Sequence, residues 1–138
     1  DEMREWLSPN EDFSRKGINN HNKKVVNLAK LLLDHNVPVC VSKVNPFVEN
    51  REDARKILKN HNFIQVYVKC SLDLCEKRDV RGMYKKARVN EINNFIGIHV
   101  NYEPPINPEL VVDTEKSPIN NSVQIILDYL NENKMIKI

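Results

Sequence analysis

Apolar positions along the chain recur with two periods that alternate. In residues 14–35, Val25, Val26, Leu28, Ala29, Leu31, Leu32 and Leu33 are spaced mostly for one helical face and Asn36 supplies a stop, which predicts a helix. Residues 37–44 form an apolar, β-branched run that reads as a strand buried on both faces, as parallel strands are. It runs into the loop Asn45-Pro46-Phe47. Residues 50–60 have helical composition with Ala54, Ile57 and Leu58 as the buried stripe, and residues 63–68 predict a second strand. Ser71 is placed to cap a short helix carrying Leu72 and Leu74. Residues 79–108 show little periodicity, so a mostly irregular segment with one short helix near 85–94 is expected, and a loop of this length is usually functional. Residues 110–113 predict a third strand. Residues 117–133 predict a closing helix with Val123, Ile126, Leu127 and Leu130 inward. Strands alternating with helices imply an α/β fold with a parallel sheet covered on both faces and ligands at the carboxyl ends of its strands. The loops after Val44, after Val68 and before Leu110 are then expected around one sheet edge.

Length and composition narrow this picture. The 138 residues suit one domain, and 41% hydrophobic with 29% charged residues is globular composition. Twenty-one basic against 19 acidic side chains leave a net charge of only +2, so no global field favours nucleic acid or a membrane. Cys40, Cys70 and Cys75 have no metal-binding spacing and read as reduced, buried thiols in the cytoplasm. The four histidines form no cluster, so no protein-held metal is expected.

The densest candidate for chemistry is the run from Arg78 to Arg88, with five cations in eleven residues around Gly82 and Tyr84. Such a run suits a lid that neutralises a polyphosphate, although charge alone equally describes a solvated helix face. The longer stretch RDVRGMYKKARVNEINNFIGIHVNYEPPINPELVVDT, residues 78–114, resembles the signature of the adenylylsulfate kinase family. That signature is an Asp-x-Lys-Gly-Leu-Tyr-Lys-Lys-Ala-Arg block followed by Phe-Thr-Gly-Ile-Asp, Pro-Tyr-Glu-x-Pro and Pro-Glu. Asn45-Pro46-Phe47 with Arg51 and Arg55 is similar to the family's Ile-Ser-Pro-Tyr loop and its following arginines. Asp1-Glu2-Met3-Arg4 is similar to the end of its Asp-Gly-Asp-x-x-Arg motif.

The resemblance implies a three-layer parallel sheet of the P-loop nucleoside triphosphate hydrolase/kinase type, in one domain spanning 1–138 with a lid at about 78–108. It implies ATP and Mg²⁺ as cosubstrates, a nucleotide acceptor, a homodimer and a cytoplasmic enzyme. Position by position, Asp1 matches the carboxylate that orients or deprotonates the acceptor 3′-hydroxyl, and Lys85 a lid lysine. Arg4 matches an arginine at the acceptor's anionic groups, while Phe13 and Phe95 match two rings that sandwich the acceptor base. Asn45 stands on the acceptor loop, and Gly97 with Ile98 beside the base. Arg78 and Arg81 fall on the ATP side. Without the resemblance, a terminal Asp or either Phe carries no such meaning.

Three departures accompany the match. No Gly-x-x-x-x-Gly-Lys-Ser/Thr loop occurs, so the resemblance implies roughly one further βα unit of about 30 residues ahead of Asp1. The family's Asp-Arg-x-x-Asn stretch is Gly17-Ile18-Asn19-Asn20-His21, which removes an arginine from the acceptor side. The serine of the Ile-Ser-Pro loop is Asn45, and the aspartate of Phe-Thr-Gly-Ile-Asp is His99. A site built of hydrogen bonds discriminates strongly between acceptors, so these changes admit cytidine diphosphoramidate, the acceptor of capsular-polysaccharide paralogues, beside adenylylsulfate. A degenerate, non-catalytic nucleotide-binding module is the remaining alternative.

Overall fold

The structure, a computed structural model, describes residues 2–136. Six helices and two strands follow in the order α1 (Glu2–Leu7), α2 (Arg15–Asp34), α3 (Val48–Ile57), β1 (Val66–Lys69), α4 (Leu72–Arg78), α5 (Met83–Arg88), β2 (Leu110–Asp113) and α6 (Ile119–Glu132). They belong to two compact units, one of residues 1–63 with 84–106, the other of residues 64–83 with 107–138.

The first unit is built on α2 against α3. Ser14 caps α2, its hydroxyl accepting from the Gly17 N–H at 3.1 Å. The helix stops where Asn36 turns left-handed (φ 61°). There the Val37 N–H bonds to the Leu32 carbonyl and the Asn36 N–H to the Leu33 carbonyl, a Schellman closure in which asparagine takes the glycine position. Its buried residues are Gly17, Ile18, Asn22 and Ala29, whereas Leu31 and Leu32, expected inward, are exposed. Buried Ala54 and Leu58 confirm the α3 stripe, with Ile57 half-buried. Helix α1 adds to the predicted elements.

Residues 37–44 are not a strand. They join no ladder among the described residues, and Val37, Val41 and Val44 are exposed, Val44 to 61%. β-branched residues favour an extended backbone, yet a strand exists only where a neighbour takes up its N–H and C=O groups.

The second unit carries a two-stranded parallel sheet with Val66 opposite Leu110 and Lys69 opposite Asp113. Strand β2 has the expected bounds, while β1 lies slightly later than 63–68. Only Val112 is fully buried in this pair; Val68 and Val111 are exposed, so the expected cover on both faces is not met by the described residues. Helix α6 packs on β2 with Ile126, Leu127 and Leu130 half-buried, but Val123 is exposed. Ser71 occupies the N-cap of α4 without a side-chain cap bond; its N–H donates instead to the Glu115 carboxylate. Because the strands are parallel, the segment after Val68 shares its edge with the segment after Asp113. The residues before Leu110 lie at the opposite end, where Glu109 accepts from the Gln65 N–H at 2.8 Å, which corrects the expectation of a shared edge. No helix among the described residues is long and apolar enough to cross a membrane.

Candidate active site

Arg4 anchors one side of the site in the first unit. Its guanidinium donates to the carbonyls of Glu11 (3.0 Å) and Asp12, and its carbon lies 4.1 Å from the centroid of the Phe13 ring. The ring remains 56% exposed, an aromatic platform backed by a cation and open for stacking. Asp12 holds this turn by accepting from the Ser14 hydroxyl and, at 3.1 Å, the Ser14 N–H. Those two bonds keep its carboxyl below the ordinary carboxylate range.

The loop Asn45-Pro46-Phe47 is fixed from several sides. Pro46 and Phe47 are buried, and Arg51, a cation only 5% exposed, donates to the carbonyls of Asn45 and Glu103. In return the Glu103 N–H donates to the Pro46 carbonyl at 2.8 Å, and the Glu103 carboxylate accepts from the Val48 N–H at 2.7 Å. That carboxylate stands at the start of α3, where a negative charge is favoured. Arg15 covers Phe47 at 3.9 Å and reaches Glu49 and Glu103. Behind Asn45, its Oδ1 accepts from Asn22 Nδ2 at 2.9 Å, and Asn22 Oδ1 accepts from the Lys43 ammonium.

His21, which precedes Asn22 on α2, places Nδ1 3.0 Å from the buried Ser8 hydroxyl. Burial first, then the charges of Lys43, Arg4 and Lys24, push its pKa down to about 4, against a small opposing pull from Glu11. A free histidine protonates near 6.5, so the unfolded chain takes up the proton first as pH falls. The stability this neutral ring contributes is complete above pH 6.5 and is lost progressively as pH falls toward 4. Melting curves between pH 7 and 5 should therefore show an acid decline that is shallower in His21→Asn; an identical decline would assign it to other groups.

Lys85 lies on α5, next to Tyr84, whose ring meets Phe95 edge to face with centroids 4.9 Å apart. The segment after Phe95 folds back tightly. The Phe95 carbonyl accepts from the N–H groups of Ile98, His99 and Val100, and the Gly97 N–H donates to the Val100 carbonyl at 2.7 Å. Gly97 has φ 94°, a conformation that a Cβ would strain, so the glycine serves the turn itself. His99 is built into the same turn, its Nδ1 accepting from the Phe95 N–H at 3.2 Å.

The arginines expected on the ATP side belong to the second unit. Arg78 ends α4 and donates to Thr114 at its carbonyl (2.8 Å) and hydroxyl (3.2 Å); Arg81 is exposed just before Gly82. Asp1 lies outside the described residues. Among the described residues there is no cluster of three metal-ligating side chains.

Comparison with known proteins gives the family. The sequence model of the family described as Adenylylsulphate kinase matches residues 1–113. The chain belongs to the adenylylsulphate kinase family. It is 42% identical over 136 residues to the Adenylyl-sulfate kinase of Oceanobacillus iheyensis and 40% identical over 136 residues to that of Staphylococcus epidermidis. Each match takes in 99% of this chain and 68% of the relative, so the chain spans about two thirds of the length of these proteins. In three dimensions it is similar to the APS kinase CysC of Mycobacterium tuberculosis, solved in complex with AMPPNP and APS. That likeness has a TM-score of 0.86 at 31% identity and covers 94% of this chain and 76% of the other. The α/β kinase fold implied by the signature is thereby established.

Within this adenylylsulphate kinase fold, Ile18 is buried at 5% exposure and presents no charge. Sequence reading missed Lys43, Asn22 and Glu103. A signal existed for the first: Lys43 is the one charged residue inside the apolar run 37–44. A long cation amid residues that seek burial calls for an explanation.

Proposed function

We propose that the protein is an ATP-dependent adenylylsulfate kinase, transferring the γ-phosphoryl group of MgATP to the 3′-hydroxyl of adenylylsulfate. The likeness to adenylyl-sulfate kinases over almost the whole chain carries the reading. In the step, the 3′-oxygen attacks the γ-phosphorus, the bond from that phosphorus to the bridging oxygen of ADP breaks, and Asp1 accepts the hydroxyl proton. Lys85 neutralises charge on the moving phosphoryl group, and Arg78 and Arg81 hold the donor nucleotide. On the acceptor side, Phe13 and Phe95 enclose the base with Gly97 and Ile98 beside it, while Arg4 and Asn45 hold the rest of the nucleotide. The cation-backed, open ring of Phe13 and the turn that presents Phe95 support these roles.

Incubation with MgATP and, separately, adenylylsulfate or cytidine diphosphoramidate tests this, with ADP release as the readout. ADP is expected with adenylylsulfate. Release with the cytidine compound alone would instead make it the capsule-pathway kinase, and nucleotide binding without turnover a degenerate module. A homodimer in the cytoplasm, supported by the resemblance, is checked by light scattering and cell fractionation.

A further inference from the structure

Lys43, Asn22 and Asn45 form a hydrogen-bond relay with one polarity. Lys43 donates to Asn22 Oδ1, and Asn22 Nδ2 donates to Asn45 Oδ1 at 2.9 Å. Each carbonyl oxygen already accepts one bond from within the relay, while the remaining N–H groups of the Lys43 ammonium and the Asn45 amide are donors with no bond from the relay. Among the described residues no carboxylate pairs with Lys43. Its nearest charged influences are also cationic: Arg4 acts on the ammonium, and Lys43 with Arg4 acts on His21. Burial and then Arg4 push the Lys43 pKa down to about 8, so holding this ammonium protonated at pH 7.5 costs the empty protein stability. Among the described residues this corner gathers donors and positive charge, which is complementary to a ligand that brings acceptors and negative charge.

We infer that Lys43 and Asn45, aligned through Asn22 and reinforced by the charge of Arg4, form a binding site for a tetrahedral oxyanion, the sulfate or phosphate part of the acceptor nucleotide. The inference rests on the proposed acceptor chemistry and makes Lys43 a specificity-determining residue, supplying positive charge where Ile18 has none. A tetrahedral oxyanion offers acceptors in every direction, which matches an ammonium and an amide N–H better than a planar group does.

The test compares the intact protein with Lys43→Met and Lys43→Arg. Melting temperatures are read in chloride, inorganic sulfate and inorganic phosphate at equal ionic strength, and acceptor KM and kcat are measured with adenylylsulfate. Without oxyanion, Lys43→Met should melt a few degrees higher at pH 7.5, since the strained cation is gone. It should lose most of the sulfate-induced rise and increase the acceptor KM by about 10- to 100-fold with kcat little changed, the loss expected for one charged hydrogen bond. Lys43→Arg should keep part of the rise. Sulfate acting more strongly than phosphate would assign the site to the sulfate group, and the reverse order to the phosphate. An equal sulfate rise in protein and Lys43→Met, with KM unchanged, overturns the inference while leaving the kinase reading standing. Loss of the sulfate rise in a protein that does not turn over adenylylsulfate would retain the oxyanion site and sink the kinase reading.

Discussion

Arg51→Ala should cost the first unit about 3 kcal/mol or more in denaturant unfolding and raise the acceptor KM sharply in whatever protein remains folded. Arg51 is buried and donates to the carbonyls of Asn45 and Glu103, so its removal strands two half-buried acceptors at about 1–3 kcal/mol each. Because those bonds fix the loop that carries Asn45, the loss should reach binding as well as folding. Arg51→Lys separates the two effects. A lysine keeps the charge but lacks the planar fork that serves two carbonyls at once, so partial recovery of stability with poor recovery of KM is expected. Full recovery by lysine would show that charge, not the fork, holds the loop.

The second large effect is one whose sign ordinary helix propensity gets wrong. Gly17 lies in the first turn of α2, where exchange to alanine normally stabilises by up to about 1 kcal/mol. Here an added Cβ would stand 2.3 Å from the Asp12 carbonyl oxygen and 2.4 Å from its Oδ1. The oxygen is backbone, held by Arg4, and cannot swing aside as a flexible side chain would. Gly17→Ala is therefore expected to destabilise by about 1–3 kcal/mol, the range for overpacking, as read by urea unfolding. The displaced turn also carries Phe13, so acceptor binding should weaken together with stability. A stabilised Gly17→Ala protein would mean that the turn shifts freely and that its contact with α2 does not position the ring.

What could be read in the chain beforehand was whatever depends on neighbours in sequence. The helix within residues 14–35, the stop at Asn36, the stripe through Ala54 and Leu58 and the bounds of β2 are of this kind, each set within a few residues. Residues 37–44 failed because a strand is a property of two segments, and composition describes only one. Leu31, Leu32 and Val123 failed likewise, since periodicity finds a helix face but not what covers it. Among site residues, Arg4, Phe13 and Phe95 were named through a motif. Lys43 and Asn22 belong to no motif, and their partnership spans 21 positions, so only folding joins them. Gly17 was noticed as a departure from the family pattern. That glycine is required there by the approach of Asp12 became visible only in three dimensions.

The two-stranded sheet has a consequence for handling the protein. Among the described residues each strand has one side without a strand partner, and Val68 and Val111 add greasy surface beside it. A ribbon of two strands is readily lengthened by a further strand along either side, so exchanging Val68 or Val111 for a charged residue should lower any turbidity seen at high concentration.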